Sequence, residues 1–182
     1  MSAVRIVHLM RHGTPVLAGR LLGRTDCDAT PAGVDACRRA AAACAARHVA
    51  CSDLRRATMC AAAITPAFRS DAAWRELDFG AWDGCDPATL DPEALAAFWR
   101  DPEGCAPPGG ERWSALVARV DAAVRAVASD TLVVTHAGAI RAALAGACGF
   151  DARQVWAFDL PYATTVSLRL WDDGAQIVRL AP

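Results

Sequence analysis

Two histidines in this sequence each stand at the end of an apolar segment, just ahead of a glycine. They lie in Arg11-His12-Gly13 and His136-Ala137-Gly138, while Arg55, Arg56 and Glu76 follow two further short segments. Guanidinium groups bind phosphate oxygens through paired hydrogen bonds and keep their charge, and a protonated imidazole adds to that charge. These residue types therefore predict a site for a phosphoryl group, which either Arg55 or Arg56 is able to reach.

The backbone near both histidines is also suited to an anion. Gly13 has no Cβ atom, so a ligand is able to approach the main chain closely at that point. A helix predicted to begin at Ala137 would direct its unpaired N–H groups to the same place. The set lacks the several carboxylates that hold Mg²⁺, so the sequence predicts a site that neutralises phosphate without a metal ion or a cofactor.

The elements that must position these residues are strands that end where the polar residues begin. Apolar residues on both faces predict strands at 3–10 and 131–135, which run into the two histidines. Shorter strands are predicted at 49–51 and 71–75. Ligands of open α/β sheets bind at the carboxyl ends of the strands, so the residues that follow all four strands are expected to converge at one edge.

Helices alternate with these strands. Apolar periodicity and capping residues predict helices at 30–47, 52–64, 111–128 and 137–148, with Thr30 and Ser52-Asp53 as N-caps, and a hairpin at 164–171 and 175–180. The pattern predicts a three-layer α/β/α sandwich with a mostly parallel sheet and a C-terminal hairpin. Residues 1–182 are expected to form one domain, with a lid-like excursion at about 80–110 that holds a short helix near 92–100.

Four motifs, in order along the chain, resemble the histidine phosphatase superfamily, also called phosphoglycerate-mutase-like. They are Arg11-His12-Gly13 after a strand, Ser52 to Ala57 at a helix start, Glu76 to Gly84, and Val134 to Arg141. Each motif is weak alone, but together the resemblance runs from residue 4 to about 170. It implies the phosphoglycerate-mutase-like fold and a phosphoric monoester hydrolase that uses no metal.

The resemblance also implies a role for each matched residue. His12 would be the nucleophile that forms a phosphohistidine, and Glu76 would protonate the leaving alcohol and later take a proton from water. The phosphoryl oxygens would be held by four groups: Arg11, Arg56, His136 and the amide of Ala137. The resemblance, and not the residues alone, selects Arg56 over Arg55.

A finer resemblance, to the α-ribazole phosphatases of cobalamin biosynthesis, rests on segments 20–33, 76–84 and 107–120. It makes α-ribazole 5′-phosphate the expected substrate, with four candidate contacts: Thr14, Gly23, Thr25 and Trp82. Ala18 stands where many members have asparagine, so Thr14 or Thr25 would have to replace that contact. A broad-specificity sugar-phosphate phosphatase, a phosphoglycerate-mutase-type enzyme and a non-catalytic phospho-ligand binder stay open as alternatives.

The composition of the 182 residues narrows the choice of partners. A net charge of −1 gives no reason to expect nucleic acid or an anionic membrane surface as a partner, and no apolar run is long enough to span a bilayer. The first residues lack a signal-peptide pattern, and the eight cysteines show neither zinc-ligand nor C-x-x-C spacing. We therefore expect a cytoplasmic enzyme with free thiols that acts on a small-molecule phosphate ester, with a homodimer as an open alternative to a monomer.

Overall fold

The computed structural model describes residues 4–181, which contain a six-stranded sheet. The strands are β1 (Arg5–Arg11), β2 (His48–Cys51), β3 (Phe68–Ser70), β4 (Thr131–Thr135), β5 (Thr165–Trp171) and β6 (Gly174–Ala181). Their order is β3-β2-β4-β1-β5-β6, in which the first four run parallel, β5 pairs antiparallel with β1, and β6 pairs antiparallel with β5. The predicted mostly parallel sheet with a C-terminal hairpin is confirmed, and Ala3, the first residue of the predicted strand 3–10, lies outside the described residues.

Helices cover both faces of this sheet and complete the three predicted layers. One face packs against α1 (Pro31–Ala41) and α2 (Arg55–Ile64), and the other packs against α4 (Trp113–Ala126), α5 (Ala137–Cys148) and α6 (Ala152–Trp156), with α3 (Pro92–Arg100) beside them. Alternate residues of β4 face opposite layers, so Val133 joins the second cluster while Leu132 and Val134 join the first. A strand with apolar side chains on both faces needs this double cover.

Helix α1 begins as predicted but ends early. Thr30 is its N-cap, and the Thr30 Oγ1 accepts a hydrogen bond from the Gly33 N–H at 3.1 Å. The helix ends at Ala41 rather than at residue 47. The N–H groups of residues 42–44 donate to carbonyls three residues earlier, which tightens the chain into a turn and ends the helix before β2.

The predicted capping of α2 by Ser52-Asp53 is wrong. The N-cap is Leu54, which makes no side-chain cap hydrogen bond. The Asp53 carboxylate instead binds the guanidinium of Arg75, with an Nε–Oδ1 distance of 2.6 Å. This ion pair joins the segment after β2 to the segment that leads to Glu76, so it serves the tertiary structure rather than the helix end.

The strand predicted at 71–75 is also wrong. The edge strand β3 lies three residues earlier, at Phe68–Ser70, and pairs with β2. Asp71 then caps a single 3₁₀ turn at Ala72–Trp74 by accepting the Ala73 N–H at 2.8 Å. The turn redirects the chain across the end of the sheet, which brings the following residues to the edge where the parallel strands end.

The short helix α6, which periodicity did not reveal, begins at a capping box between Asp151 and Gln154.

The excursion between residues 80 and 110 is anchored where its two ends cross. The Ala81 N–H donates to the Pro108 carbonyl at 2.9 Å, and the Glu111 N–H donates to the Asp78 carbonyl at 2.9 Å. Gly80 has φ of +51° at this crossing, and a Cβ atom there would overlap the Pro108 carbonyl. Phe98 of α3 is 1% exposed and belongs to the main core.

Within residues 4–181, no helix combines the length and apolar character needed to cross a bilayer. Each of the eight cysteines in this part of the chain is a free thiol, as predicted.

Candidate active site

The register of β1 and β4 brings the two motif histidines together. Arg11 pairs with Thr135 across these parallel strands, and the His12 N–H donates to the Thr135 carbonyl at 2.8 Å. His12 and His136, the next residue of each chain segment, leave the sheet side by side with ring centroids 5.0 Å apart. They are 5% and 0% exposed, so both imidazoles are buried at the carboxyl edge of the sheet.

The hydrogen bonding of His12 fixes its tautomer. Its Nδ1 lies 2.7 Å from the carbonyl oxygen of Gly13, which is able only to accept, so Nδ1 carries the hydrogen. Burial, with help from the charges of Arg56 and Arg11, lowers the pKa of His12 to about 3. The ring is therefore neutral at pH 7, with a lone pair on Nε2. An imidazole in this state is a nucleophile.

Gly13 has a packing role that the sequence did not predict. A Cβ atom at this position would overlap the backbone carbonyl of Gly33, so glycine is required by the approach of α1 rather than by a ligand. The Gly13 N–H donates to the Cys60 Sγ at 3.3 Å, and the Cys37 thiol donates to the Arg11 carbonyl at 3.7 Å. Two buried thiols thus support the turn that presents His12.

Arg11 is held at the site by a carbonyl and an aromatic ring. Its Nη1 donates to the Leu160 carbonyl at 2.6 Å, and its guanidinium lies 3.9 Å from the ring centroid of Tyr162. The Tyr162 ring is also 5.7 Å from that of His12. Sequence reasoning missed Tyr162, although two signals pointed to it: it is the single tyrosine of the chain, and it directly precedes the last hairpin.

The structure separates Arg55 from Arg56. Arg55 lies at the surface and binds the carboxylate of Asp28. Arg56 is 0% exposed and donates to three backbone carbonyls, those of Leu22 at 2.8 Å, Gly23 at 3.1 Å and Thr25 at 2.8 Å. The buried arginine is therefore Arg56, the residue that the family resemblance selected.

The loop 22–25 lies between two opposite charges. Its carbonyls face Arg56, and its N–H groups donate to the carboxylate of Asp83: Gly23 at 3.1 Å, Arg24 at 2.5 Å and Thr25 at 3.0 Å. The peptide groups of the loop therefore lie between the Asp83 carboxylate and the Arg56 guanidinium, which are not in direct contact. Asp83 stabilises the loop that holds Arg56.

The four residues predicted as substrate contacts do not line the cavity next to His12. Gly23 and Thr25 belong to the loop that holds Arg56. The Thr14 carbonyl accepts the Thr30 N–H at 2.7 Å. Trp82 packs edge-to-face on Phe98 with ring centroids 5.9 Å apart. Their contacts support the surrounding loops, and a direct contact of any of the four with a substrate stays a prediction.

Glu76 lies at the N-terminus of α5. Its Oε2 accepts the Gly138 N–H at 3.0 Å, and its Oε1 accepts the N–H of Leu77 at 2.8 Å. The positive end of the helix dipole favours a carboxylate at this position. Each oxygen keeps a second lone pair, so the group is still able to bind a proton.

One cavity of about 230 Å³ joins these groups. Arg11, His12, Glu76 and Ala137 line it, while Arg56 and His136 are completely buried. The rest of its wall is largely aromatic: Phe79, Phe98, Trp99, Trp113, Trp156 and Tyr162. Arg20 and Arg141 also line the cavity, so a ligand would meet both flat apolar surfaces and further positive charge.

The electrostatics of the site favour an anion. Burial, followed by the charges of His12 and Arg56, holds the pKa of His136 well below its usual value. Within residues 4–181, neither ring nitrogen of His136 nor the Nε of Arg11 or Arg56 has a hydrogen-bond partner. A phosphate group would supply the negative charge and the acceptor oxygen atoms with which these nitrogen atoms could form hydrogen bonds. The same residue range contains no group of three or more His, Cys, Asp or Glu residues arranged to hold a metal ion.

Comparisons with known proteins point to one family. The family model described as the histidine phosphatase superfamily (branch 1) matches residues 7–181. No curated protein matches the chain.

Solved structures share the fold over nearly the whole chain. A phosphoglycerate mutase from Thermus thermophilus is 33% identical, with 97% of this chain and 99% of that chain covered and a TM-score of 0.78. A mycobacterial glucosyl-3-phosphoglycerate phosphatase is 24% identical, with 97% and 98% covered and a TM-score of 0.83. An α-ribazole phosphatase from Shigella flexneri is 21% identical, with 97% and 96% covered and a TM-score of 0.83. The last two identities support the shared fold alone.

The lowered pKa of His12 makes the stability of the fold depend on pH. From pH 6.5 down to about 3, the unfolded chain binds a proton here that the folded chain does not, so stability is complete above pH 6.5 and falls with decreasing pH. Between pH 6.5 and about 4 this residue alone accounts for a loss of about 3 kcal/mol. We expect His12→Gln to lose less stability than the wild type between pH 7 and 4 in urea unfolding.

The exposed His48 provides the matched control for that measurement. His48→Gln should follow the wild-type pH dependence, because its side chain is at the surface. Equal losses in the His12 and His48 variants would contradict the assignment of a buried, neutral His12.

Proposed function

The chain belongs to the histidine phosphatase superfamily, branch 1, and is a phosphatase of that class, and we propose that it hydrolyses phosphate monoesters through a phosphohistidine at His12 without a metal ion. The observation that carries this proposal is the 2.7 Å hydrogen bond between the His12 Nδ1 and the Gly13 carbonyl. It fixes the proton on Nδ1 and leaves Nε2 as the attacking atom, and the same cavity contains the carboxyl group of Glu76.

In the first step, the Nε2 of His12 attacks phosphorus. The P–N bond forms while the P–O bond to the alcohol breaks, and the protonated carboxyl of Glu76 gives its proton to the leaving oxygen. In this proposal Arg11, Arg56 and His136 bind the phosphoryl oxygens, which is supported by their buried nitrogen atoms that have no hydrogen-bond partner in the described part of the chain.

In the second step, water attacks the phosphohistidine. The Glu76 carboxylate takes a proton from the water, the P–N bond breaks, and inorganic phosphate leaves with His12 neutral again. The carboxyl group returns to its protonated form and is ready for the next ester. A non-catalytic phospho-ligand binder would have no use for a proton-carrying carboxyl beside the phosphate site, which favours the enzyme.

Arginine charges take the place of a metal ion in this proposal. The two guanidinium groups of Arg11 and Arg56 keep their charge at neutral pH, and Arg56 is buried and Arg11 partly buried where Coulomb interactions are stronger than in water. They supply the neutralisation that Mg²⁺ provides in other phosphoryl-transfer sites.

For the substrate, we propose α-ribazole 5′-phosphate. Its alcohol part joins a sugar to a planar benzimidazole, and Trp99, Trp113 and Trp156 form an apolar wall of mutually inclined rings in the cavity. The ring centroids of Trp113 and Trp156 are 5.1 Å apart, so the wall is continuous. Aromatic rings interact favourably with such a base, whereas a simple sugar phosphate would leave this surface without a partner. The proposal places the enzyme in cobalamin biosynthesis and in the cytoplasm.

A phosphoglycerate-mutase-type activity is the second candidate, because Arg20 and Arg141 line the cavity. The Nε of Arg141 is buried and has no hydrogen-bond partner in the described part of the chain. A substrate with a carboxylate next to its phosphate ester, such as 3-phosphoglycerate, would satisfy that donor. The T. thermophilus structure reported above carries the name of such an enzyme.

The covalent step is tested at its nucleophile. We expect His12→Ala to retain less than about 1% of the wild-type turnover, because the proposed mechanism forms its P–N bond on the Nε2 of His12. Mass spectrometry after an alkaline quench should detect one phosphorylated histidine in the wild type and none in the variant. His48→Ala is the surface control and should label normally. Activity that appears only after Mg²⁺ or Zn²⁺ is added to the EDTA-treated enzyme would contradict the metal-free mechanism.

The substrate is tested by a panel of three esters with no metal added. We expect kcat/KM for α-ribazole 5′-phosphate to exceed that for 3-phosphoglycerate and for glucose 6-phosphate by about two- to tenfold, as one additional aromatic stacking contact is worth about 0.5–1.5 kcal/mol. Trp156→Ala should remove this preference while hydrolysis of p-nitrophenyl phosphate continues. Preferential transfer between phosphoglycerates, dependent on a bisphosphorylated primer, would favour the mutase instead.

The contact between Glu76 and α5 is tested at Gly138. A Cβ atom at residue 138 would overlap the Glu76 Oε1, so Gly138→Ala must displace the carboxyl group. Activity on an alkyl phosphate should fall by about 10²–10⁴-fold, the usual worth of a positioned acid. The melting temperature should be largely kept, because alanine favours the helix. Gly146→Ala is the matched control on the same helix, because its Cβ would press on Asp121 outside the cavity rather than on Glu76. It should retain activity even where its melting temperature falls, and an equal loss of activity in both folded variants would argue against a role for Glu76.

A further inference from the structure

Arg119 on α4 binds the backbone of the segment that carries Glu76. Its Nη1 donates to the carbonyls of Ala73 at 2.9 Å and Arg75 at 2.8 Å, and its Nη2 donates to the carbonyl of Glu76 itself at 2.8 Å. Its side chain is 21% exposed, which shields these hydrogen bonds from much of the solvent. A single guanidinium therefore satisfies three carbonyls in a stretch that has no strand partner there.

Glu111 holds that guanidinium in place from the other side. Its two carboxylate oxygens accept the Arg119 Nε at 2.7 Å and Nη2 at 2.8 Å, and its side chain is 12% exposed. Glu111 also forms two hydrogen bonds with the backbone of Asp78, two residues beyond Glu76. The Glu111 N–H donates to the Asp78 carbonyl at 2.9 Å, and the Asp78 N–H donates to the Glu111 Oε2 at 3.3 Å.

The segment around Glu76 depends on these contacts because it has little regular structure of its own. A 3₁₀ turn ends at Trp74, and the residues that follow belong to no helix or strand until the next 3₁₀ turn at Gly80. Unpaired backbone carbonyls need donors from elsewhere in the fold. The Thr135 hydroxyl donates to the Trp74 carbonyl at 2.6 Å, and the Glu111 N–H donates to that of Asp78. Arg119 supplies the donors to the carbonyls of Ala73, Arg75 and Glu76 itself.

We propose that the Glu111–Arg119 ion pair positions the general acid: it fixes the backbone on both sides of Glu76 so that the carboxyl group meets the Gly138 N–H inside the cavity. The proposal rests on the role given to Glu76 under Proposed function. Arg119 and Glu111 touch neither the substrate nor the reacting atoms, so they are positioning residues. Arg119 makes its contribution through three peptide carbonyls.

The dependence on the leaving group separates positioning of the acid from general support of the fold. An alkyl phosphate must expel an alkoxide, which needs a proton in the transition state, whereas p-nitrophenyl phosphate expels a stabilised phenolate. In Arg119→Gln, the pre-steady-state burst rate with an alkyl phosphate should fall about 10²-fold, which is the typical cost of a 1 Å misplacement. The burst rate with p-nitrophenyl phosphate should change by less than about threefold, because that leaving group needs little help.

Two variants calibrate this comparison. Glu76→Gln removes the acid and sets the largest selective loss, and adding Arg119→Gln to it should cause no further selective loss, since the positioned group is already gone. Arg125→Gln is the matched control, because Arg125 lies on the same helix and pairs with Asp121 at 2.7 Å far from the Glu76 segment. It should behave as the wild type with both esters.

Amide hydrogen exchange gives a readout that does not depend on activity. The N–H groups of Leu77 and Gly138 are held by the Glu76 carboxylate, so their exchange should accelerate in Arg119→Gln and stay unchanged in Arg125→Gln. If the wild type shows no phosphatase activity at all, the proposed function fails, while the exchange of these two amides still decides whether the pair positions Glu76.

Unchanged amide exchange, or equal loss with both esters in a folded Arg119→Gln, would overturn the positioning role. If Arg119→Gln does not fold, Glu111→Gln is measured in its place, because it retains the guanidinium and its carbonyl contacts. The same selective loss is then expected, at a smaller size, and its absence overturns the proposal equally.

Discussion

The placement of two guanidinium groups, one buried and one partly buried, beside two buried neutral imidazoles is the constraint on which the rest of the site depends. Arg11 and Arg56 bring fixed positive charge to the carboxyl edge of the sheet, where His12 and His136 are almost completely buried. Backbone carbonyls, rather than carboxylates, receive the N–H groups of both arginines. Carbonyl dipoles stabilise the charge without cancelling it, so the site keeps an excess of positive potential for an anionic ligand.

Ion pairs acting through peptide groups recur around this edge. The Asp83 carboxylate binds the N–H side of the loop whose carbonyls hold Arg56. Glu111 and Arg119 hold the segment of Glu76 in a similar manner. Because a loop has no regular hydrogen-bond partners, charged side chains are a strong means of fixing its path. Asp83 lies near the start of the 80–110 excursion and Glu111 directly follows its end. The excursion therefore contributes to the geometry of the site as well as to the cavity wall.

The aromatic part of the cavity wall also depends on the 80–110 excursion. Phe98 and Trp99 come from the excursion, whereas Trp156 comes from the short helix after α5. Their rings form a chain with centroid separations of 4.7 Å between Phe98 and Trp99 and 6.1 Å between Trp99 and Trp156. The phosphate end of the cavity is thus built from strand ends, and the opposite end from segments outside the sheet. A fold of this kind is able to vary its substrate while its phosphoryl chemistry is retained.

The sequence by itself determined the parallel sheet and the placement of both histidines, because apolar strands followed by polar residues are local patterns. Strand 131–135 and the helix from Ala137 to Cys148 have the predicted bounds. The residue pattern left Arg55 and Arg56 open and the family resemblance favoured Arg56, but only the tertiary structure shows why Arg56 is buried, since the carbonyls of Leu22 and Gly23 that bind it lie more than 30 residues away in the chain. The tertiary structure also decided the role of Tyr162 and the irregular path before Glu76. The position of Tyr162 and the path of the chain before Glu76 depend on packing between segments that are distant in the sequence, so the local spacing of residues does not predict them.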